Sequence, residues 1–322
     1  MTDTQRPWRV LIGSRSFGQV FPEHIEQLEA SGCEVIPNAV GRAYRAHELE
    51  SALVGVDAII TGTDELTAEV INGADRLRTI AKHGIGVETI DLPAARAKKI
   101  VVSATPQASS DSVADLTLAL LLAVARKVVP AHLNTIAGSW KAFTGMELRG
   151  KVLGVIGLGR IGQQVSRRAQ GFGMKIIAYD PYANQEFAAT NDIKLVPMDE
   201  LLASSDVVTL HAPADQVQCP LIGAAELACM KPGALLLNTA RGVLVDEAAL
   251  AAALQSGKLG GAGIDAFVNE PPVGSPLLAL ENVVLTPHIG GRTYDGLRRM
   301  GEMTIENVLL ALRGQPPLYQ VK

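Results

Sequence analysis

Three cysteines in 322 residues, Cys33, Cys219 and Cys229, are too few and too scattered for a disulfide framework, and their spacing matches no metal-ligand pattern. Neither sign of charge dominates: 29 basic side chains stand against 33 acidic ones, for a net charge of −4. A basic face for nucleic acid or for an anionic membrane is therefore not expected. No apolar run approaches the roughly 18 residues that a bilayer requires. The longest, from Leu116 to Ala125, contains Thr117 and stops at Arg126-Lys127. The opening residues, Met1 to Val10, hold no signal-peptide core. The expected setting is cytoplasmic and reduced, with no membrane, no nucleic acid and no metal. What is present is 48% apolar and 19% charged, the composition of a folded globular chain long enough for about two domains.

Short apolar runs alternate with helical stretches. Strands are predicted at Trp8–Gly13, Asp57–Ile60, Leu77–Ala81 and Ile100–Val102, with helices at Pro22–Gly32, Leu66–Asn72 and Leu92–Lys98. Repeated βα units of this kind build a parallel, doubly wound sheet covered on both faces. Near Ala108 the texture changes. A long helix, N-capped by Ser110 or Asp111, is apolar almost all round and is expected to be buried, between domains or subunits. A second βα series follows, with strands at Lys151–Ile156, Lys175–Tyr179, Asp206–Leu210, Ala234–Leu237, Gly261–Ile264 and Asn282–Leu285. A last helix from about Thr293 to Leu312 ends at Gly314 and Pro316-Pro317.

The sharpest local motif is Gly157-Leu158-Gly159-Arg160-Ile161-Gly162, directly after a strand and at the start of a helix. In that context one glycine turns the chain and the second lets the backbone approach a pyrophosphate. The third packs helix on strand, and the helix N-terminus faces the anion. Asp180 stands 18 residues beyond Gly162 at the end of the next strand. A carboxylate there accepts hydrogen bonds from ribose hydroxyls and repels a 2′-phosphate, so NAD is expected over NADP. A glycine-rich turn without a ligand is the plainer alternative.

Three later junctions each carry one group suited to a 2-oxo acid: Arg241 in Thr239-Ala240-Arg241-Gly242, Glu270 after Asp265-Ala266-Phe267, and His288 in Thr286-Pro287-His288. All follow strands, and strand carboxyl ends in a doubly wound sheet line one crevice. The reaction needs a proton donor for the keto oxygen, a role that suits histidine. A carboxylate orients the imidazole and raises its pKa, and a guanidinium fork binds a carboxylate. Taken singly, Arg241 reads as a surface ion-pair partner, Glu270 as a loop acid and His288 as a strand-end histidine.

Together, Gly157–Gly162, Asn238–Gly242, Gly261–Pro272 and Asn282–Gly291 resemble the D-isomer-specific 2-hydroxyacid dehydrogenases, over nearly the whole chain. The resemblance implies a Rossmann NAD domain, residues 104–289, inserted in a smaller flavodoxin-like substrate domain, residues 1–103 and 290–322. It makes Arg241 the substrate-binding arginine, Glu270 the orienting acid and His288 the acid/base. It puts the substrate carboxylate on the N–H groups of Ile85 and Gly86. It assigns the cofactor to the Gly157–Gly162 loop with Arg160 and Ile161, and to Asp180, Thr239, Ala240 and Asp265. His211 is expected to line the cofactor cleft as a structural residue. A homodimer is implied, built through the nucleotide domain.

Within the family the texture is similar to short phosphoglycerate dehydrogenases without a regulatory domain, so serine feedback is not expected. Lys82, just before Gly84-Ile85-Gly86, is where those enzymes carry a cation for a phosphorylated substrate, although it also reads as a solvated lysine. Against a phosphate, the stretch 60–67 lacks their arginine and offers Asp64 and Glu65, which repel a dianion if they face the site. Gln218 and Cys219 replace a common threonine and arginine. The alternatives are a hydroxypyruvate or glyoxylate reductase, another dehydrogenase of unphosphorylated acids and, in a different class, an NAD-sensing interaction protein. His24, His47, His83 and His132 read as surface residues.

Overall fold

Strands that are buried on both faces read as continuous apolar runs, and that is how the sheets of this chain are built. The computed structural model describes residues 6–214 and 219–321, so Gln218 lies outside the described residues. The first sheet takes β1 (Trp8–Ile12), β2 (Cys33–Ile36), β3 (Ala58–Thr61), β4 (Thr79–Lys82) and β5 (Val101–Ser103) in the order β2-β1-β3-β4-β5. Every pairing is parallel. Between the strands run α1 (Glu23–Ala30), α2 (Ala46–Ala52), α3 (Ala68–Gly73) and α4 (Leu92–Ala97). Short polar residues start the last two: Thr67 and Asp91 accept hydrogen bonds from Val70 N and Ala94 N.

The chain then enters α5 (Ser110–Ala125) and α6 (Val128–Ile136). The second sheet follows, with β6 (Val152–Ile156), β7 (Lys175–Tyr179), β8 (Lys194–Leu195), β9 (Val207–Leu210), β10 (Ala234–Asn238), β11 (Leu259–Ile264) and β12 (Val283–Leu285). Its order is β12-β11-β10-β9-β6-β7-β8, again with all pairings parallel. The helices among these strands are α7 (Arg160–Gly171), α8 (Gln185–Thr190), α9 (Met198–Ser204), α10 (Ala224–Cys229) and α11 (Glu247–Gln255). The last helix, α12 (Tyr294–Leu312), returns to the first sheet, capped by Thr293.

The two strand orders are those of the flavodoxin-like and Rossmann folds, with switch points at β1/β3 and β6/β9. Side-chain alternation sorts the first core: Leu11 and Ile59 lie under α2, α3 and α4, while Val10, Ile12 and Ile60 lie under α12 with Ile305, Val308 and Leu312. In the second, Leu153 and Val155 join one face and Ile156 the other.

The chain divides into residues up to Ser109 with those from Arg292 onward, and residues 110–291. These limits fall a few residues beyond 103 and 289, and hydrogen bonds explain why. Ala104 N donates to Tyr319 O, Thr105 N to Gly84 O and Arg299 Nε to Ala108 O, so 104–108 belong to the first unit. Helix α5 begins at Ser110, so neither Ser110 nor Asp111 precedes it as a cap. It is buried within the second unit, against α7, β10, β11 and β12.

Candidate active site

At the end of β6 the chain turns through Gly157, whose φ is +92°. A Cβ there would lie 2.7 Å from the backbone of His211 and Ala212, and one on Gly162 would lie 2.1 Å from Gly157 O. A Cβ on Gly159 would meet nothing within 4 Å. Helix α7 begins at the next residue, with no side chain capping it. The three glycines thus turn the loop, pack it and leave it open over free N–H groups, a shape that fits a pyrophosphate. Arg160 and Ile161 form the first positions of that helix. Asp180 Oδ2 accepts from Leu158 N (2.8 Å) and Oδ1 from Tyr182 N (2.8 Å). Each oxygen keeps a second lone pair for a ribose hydroxyl.

His211 holds Thr209 Oγ1 with Nε2 at 2.9 Å, while its Nδ1 is buried without a partner. Burial pushes its pKa down to about 3, so the ring is neutral at pH 7. Among the described residues its Nδ1 is one of four orphaned buried side-chain atoms.

Three neighbouring strands, β10, β11 and β12, deliver the groups read as catalytic. After β10, buried Asn238 shapes the loop: its Nδ2 donates to Arg241 O (2.8 Å) and its Oδ1 accepts from Ala240 N (3.1 Å). Thr239 Oγ1 meets Thr117 Oγ1 of α5 at 2.8 Å. Arg241 follows in extended conformation and donates from Nη1 to Ala240 O (2.9 Å). After β11 comes Asp265, 1% exposed. It accepts from Thr286 Oγ1 (2.6 Å), Ile289 N (2.9 Å) and Gly290 N (2.8 Å). Those bonds clamp the turn that carries His288, which sits in the left-handed region at φ +52°. A non-glycine residue held there stores on the order of 1–3 kcal/mol of strain, and such strain clusters at working sites.

His288 Nδ1 lies 2.8 and 2.9 Å from the two Glu270 oxygens. That hydrogen bond raises the His288 pKa against the opposing effect of burial; the charges of Glu270 and Asp265 add to it and Arg241 subtracts. Burial works to raise the Glu270 carboxyl, but the bond and charge of His288, the Phe267 N–H and the Arg241 charge overcome it and leave it below the usual range. With Nδ1 committed to Glu270, Nε2 is the ring nitrogen left to exchange a proton.

In the first unit Lys82 ends β4, 8% exposed, and its Nζ donates to Gly62 O. The following Gly84 has φ +149° and is pinned by Thr105, whose Oγ1 receives Gly84 N and donates to Gly84 O. The N–H groups of Ile85 and Gly86 just beyond have no acceptor among the described residues. Asp64 and Glu65 are turned to structural work. Asp64 is fully buried, accepting from Thr61 Oγ1, Gly62 N and Tyr44 N, and Glu65 accepts from Ala46 N.

Two histidines read as surface residues are buried: His24 at 2% and His83 at 6% exposure. Both pack on Phe17. Thr304 Oγ1 spends its proton on Met300 O, so His83 Nδ1 must donate to Thr304 (3.2 Å), leaving Nε2 bare. His47 and His132 are exposed as expected. The buried partners Asn238 and Thr105 carry no sequence signal of their own, since each acts through a neighbour's backbone.

Residues 118–290 match the profile of the D-isomer specific 2-hydroxyacid dehydrogenase NAD binding domain, more than half of the chain. The chain belongs to this family. Its second unit is the family's NAD-binding domain, and its cofactor is NAD. Among curated relatives it is 44% identical over 273 residues to D-3-phosphoglycerate dehydrogenase of Methanocaldococcus jannaschii, a match covering 83% of this chain and 52% of that one. It is 41% identical over 276 residues to glyoxylate reductase of Thermococcus litoralis, covering 81% and 82%. The chain therefore spans about half the length of the phosphoglycerate dehydrogenase that it matches. Among solved structures, the TT0316 protein of Thermus thermophilus superposes with a TM-score of 0.89 at 39% identity, covering 98% of this chain and 100% of that one. The TT0316 protein thus shares the α/β architecture with two parallel sheets.

Proposed function

We propose that this protein interconverts a D-2-hydroxyacid and its 2-oxo acid, with residues 110–291 as the dinucleotide-binding domain and the remainder as the substrate domain. The observation that carries the reading is the His288–Glu270 pair, set on adjacent strands of an NAD-binding domain with Arg241 on the third. When bound, NAD takes up or returns the hydride. His288 Nε2 accepts the hydroxyl proton in oxidation and gives one to the keto oxygen in reduction. Glu270 keeps the imidazolium favoured until that moment. Arg241 offers a rigid fork to the substrate carboxylate and keto oxygen. The N–H groups of Ile85 and Gly86 hold the carboxylate. Gly157, Gly159, Arg160, Ile161 and Gly162 receive the pyrophosphate and Asp180 the adenosine ribose. Thr239, Ala240, Asp265 and the backbone of His211 complete the cofactor's surroundings.

The substrate reading is 3-phosphoglycerate and 3-phosphohydroxypyruvate, with Lys82 as the phosphate's cation. The inward turn of Asp64 removes the objection that its charge repels a dianion. A second reading, a hydroxypyruvate or glyoxylate reductase, is favoured by the neutral Thr61-Gly62-Thr63 stretch at the end of β3. The protein is read as a homodimer because no residue of α6 is buried. Leu133 and Ile136 are 60% and 70% exposed, and Trp140 just beyond is 92% exposed. A cytoplasmic setting is consistent with three free thiols, two of them exposed.

The test is NADH oxidation with 3-phosphohydroxypyruvate and with hydroxypyruvate, by the wild type and by His288→Ala. The variant is expected to lose about 10²–10⁴-fold in turnover, the usual weight of a general acid. Folded His288→Ala that turns over like the wild type overturns the mechanism. A higher kcat/KM for the phosphorylated acid supports the first substrate reading, and the reverse order supports the second. No turnover on any 2-oxo acid by a protein that binds NADH leaves the NAD-sensing role.

A further inference from the structure

Glu270 can grip His288 with both oxygens only while the loop that carries it is held still, and that loop, residues 265–276, is irregular and borders a cavity of about 580 Å³. The cavity lies between it and the Arg241–Asp246 segment, with Val243, Val268, Val273 and Ser275 on its walls. One side chain reaches from a helix to both ends of the loop. Glu247, the first residue of α11, accepts from Val268 N through Oε1 (2.9 Å) and from Ser275 Oγ through Oε2 (2.5 Å). The first contact lies two residues before Glu270 and the second five after it. The helix that carries Glu247 is itself anchored, because Asp246 caps it by accepting from Ala248 N and Ala249 N, both at 3.0 Å. The loop also touches the arginine segment backbone to backbone: a Cβ on Gly242 would fall 1.9 Å from Phe267 C.

We infer that Glu247 is a positioning residue for the proposed reaction, a brace from α11 that fixes the Glu270 loop and so fixes how firmly Glu270 engages His288. It touches neither reacting atoms nor His288, and nothing in the sequence reading points to it. The inference rests on the acid/base reading of His288. The charged groups that act on His288 are Glu270, Asp265 and Arg241. Of these, Asp265 is held by the His288 turn itself, and Glu270 is the one whose support comes from Glu247.

The test reads the imidazole directly. His288 is titrated by NMR in the free protein, its signal identified by its loss in His288→Asn, for wild type, Glu247→Ala, Glu247→Gln and Ser275→Ala. Glu247→Ala is expected to lower the His288 pKa by about half a unit to one unit, because a loosened Glu270 favours the imidazolium less. Glu247→Gln, which still offers an oxygen to Val268 N, restores most of that shift, and Ser275→Ala gives a smaller one. The alkaline limb of kcat/KM for reduction moves with it, so Glu247→Ala loses about 3–10-fold near pH 8.5 and less than about twofold near pH 6. A uniform loss at every pH with His288 titrating as in the wild type makes Glu247 merely structural and overturns the inference. If Glu247→Ala does not fold, an unmoved His288 in Ser275→Ala overturns it equally. If instead wild-type His288 titrates no higher than a free imidazole and His288→Asn turns over normally, the acid/base reading itself fails.

Discussion

The glycines of this chain differ in what a methyl group would do to each, and those differences separate folding from binding. At Gly242 an added Cβ meets backbone atoms of Phe267 and Val268 within 2.2 Å, and backbone cannot step aside as a side chain can. Gly242→Ala is therefore expected to cost about 1–3 kcal/mol or more of stability and to spread the Arg241 and Glu270 loops apart. At Gly159 the same atom meets nothing. Gly159→Ala should keep wild-type stability to within about 1 kcal/mol yet weaken NAD binding about tenfold or more, since the space it fills is where a pyrophosphate approaches. Denaturation curves and NADH fluorescence titration distinguish the two, and Gly159→Ala with unchanged affinity would contradict the pyrophosphate assignment. His288, Glu270 and Arg241 could be picked out from the sequence as candidates because each follows a strand in a recognisable string, and the structure shows His288 and Glu270 in contact. The direction of Asp64, the burial of His24 and His83 and the brace at Glu247 could not, because each depends on a partner from another part of the fold.

Among the elements, legibility followed apolar content. Strands such as β6, β9 and β10 are fully or almost fully buried and stood out as unbroken apolar runs. The edge strand β2, Cys33–Ile36, is half exposed and carries Glu34, and neither it nor the short helix α2 announced itself. The two consecutive helices α5 and α6 make opposite use of apolar residues. Helix α5 buries ten of its sixteen residues inside the second unit, whereas α6 buries none. An apolar helix that its own chain leaves bare is stable in water when a second copy covers it. Leu133→Asp with Ile136→Asp is expected to turn a dimer into a monomer, read by sedimentation velocity, with the single chain's fold preserved because neither side chain is part of a core. A wild-type protein that sediments as a monomer would remove the dimer reading.

At the scale of the molecule, each unit contains a buried histidine held neutral: His83 in the first and His211 in the second, both with pKa values pushed down to about 3 by burial. His24, His83's neighbour, is lowered as well, again chiefly by burial. A depressed histidine stabilises the fold above its unfolded pKa, and that stability is lost as pH falls toward its folded value. Between about pH 6.5 and pH 4, His83 and His211 each withdraw on the order of 3 kcal/mol. His288 works the other way, being raised, but its half-exposed ring offsets only part of the loss. The urea midpoint is expected to fall steeply between pH 7 and pH 4.5, and His83→Gln to flatten that fall. A pH-independent midpoint would mean that these rings are not neutral in the native state.

Helix α12 lays Ile305, Val308 and Leu312 over Val10, Ile12 and Ile60, so one face of the first sheet is roofed by the last helix of the chain. The second unit is a single continuous stretch from Ser110 to Gly291. During synthesis, then, the first sheet is made before residues 110–291 and completed after them. The first sheet emerges from the ribosome with one apolar side covered only in part, by α1, while residues 110–291 already hold every residue of their own unit. The nascent chain must shield the rest of that face, on its own or with a chaperone, until α12 is released.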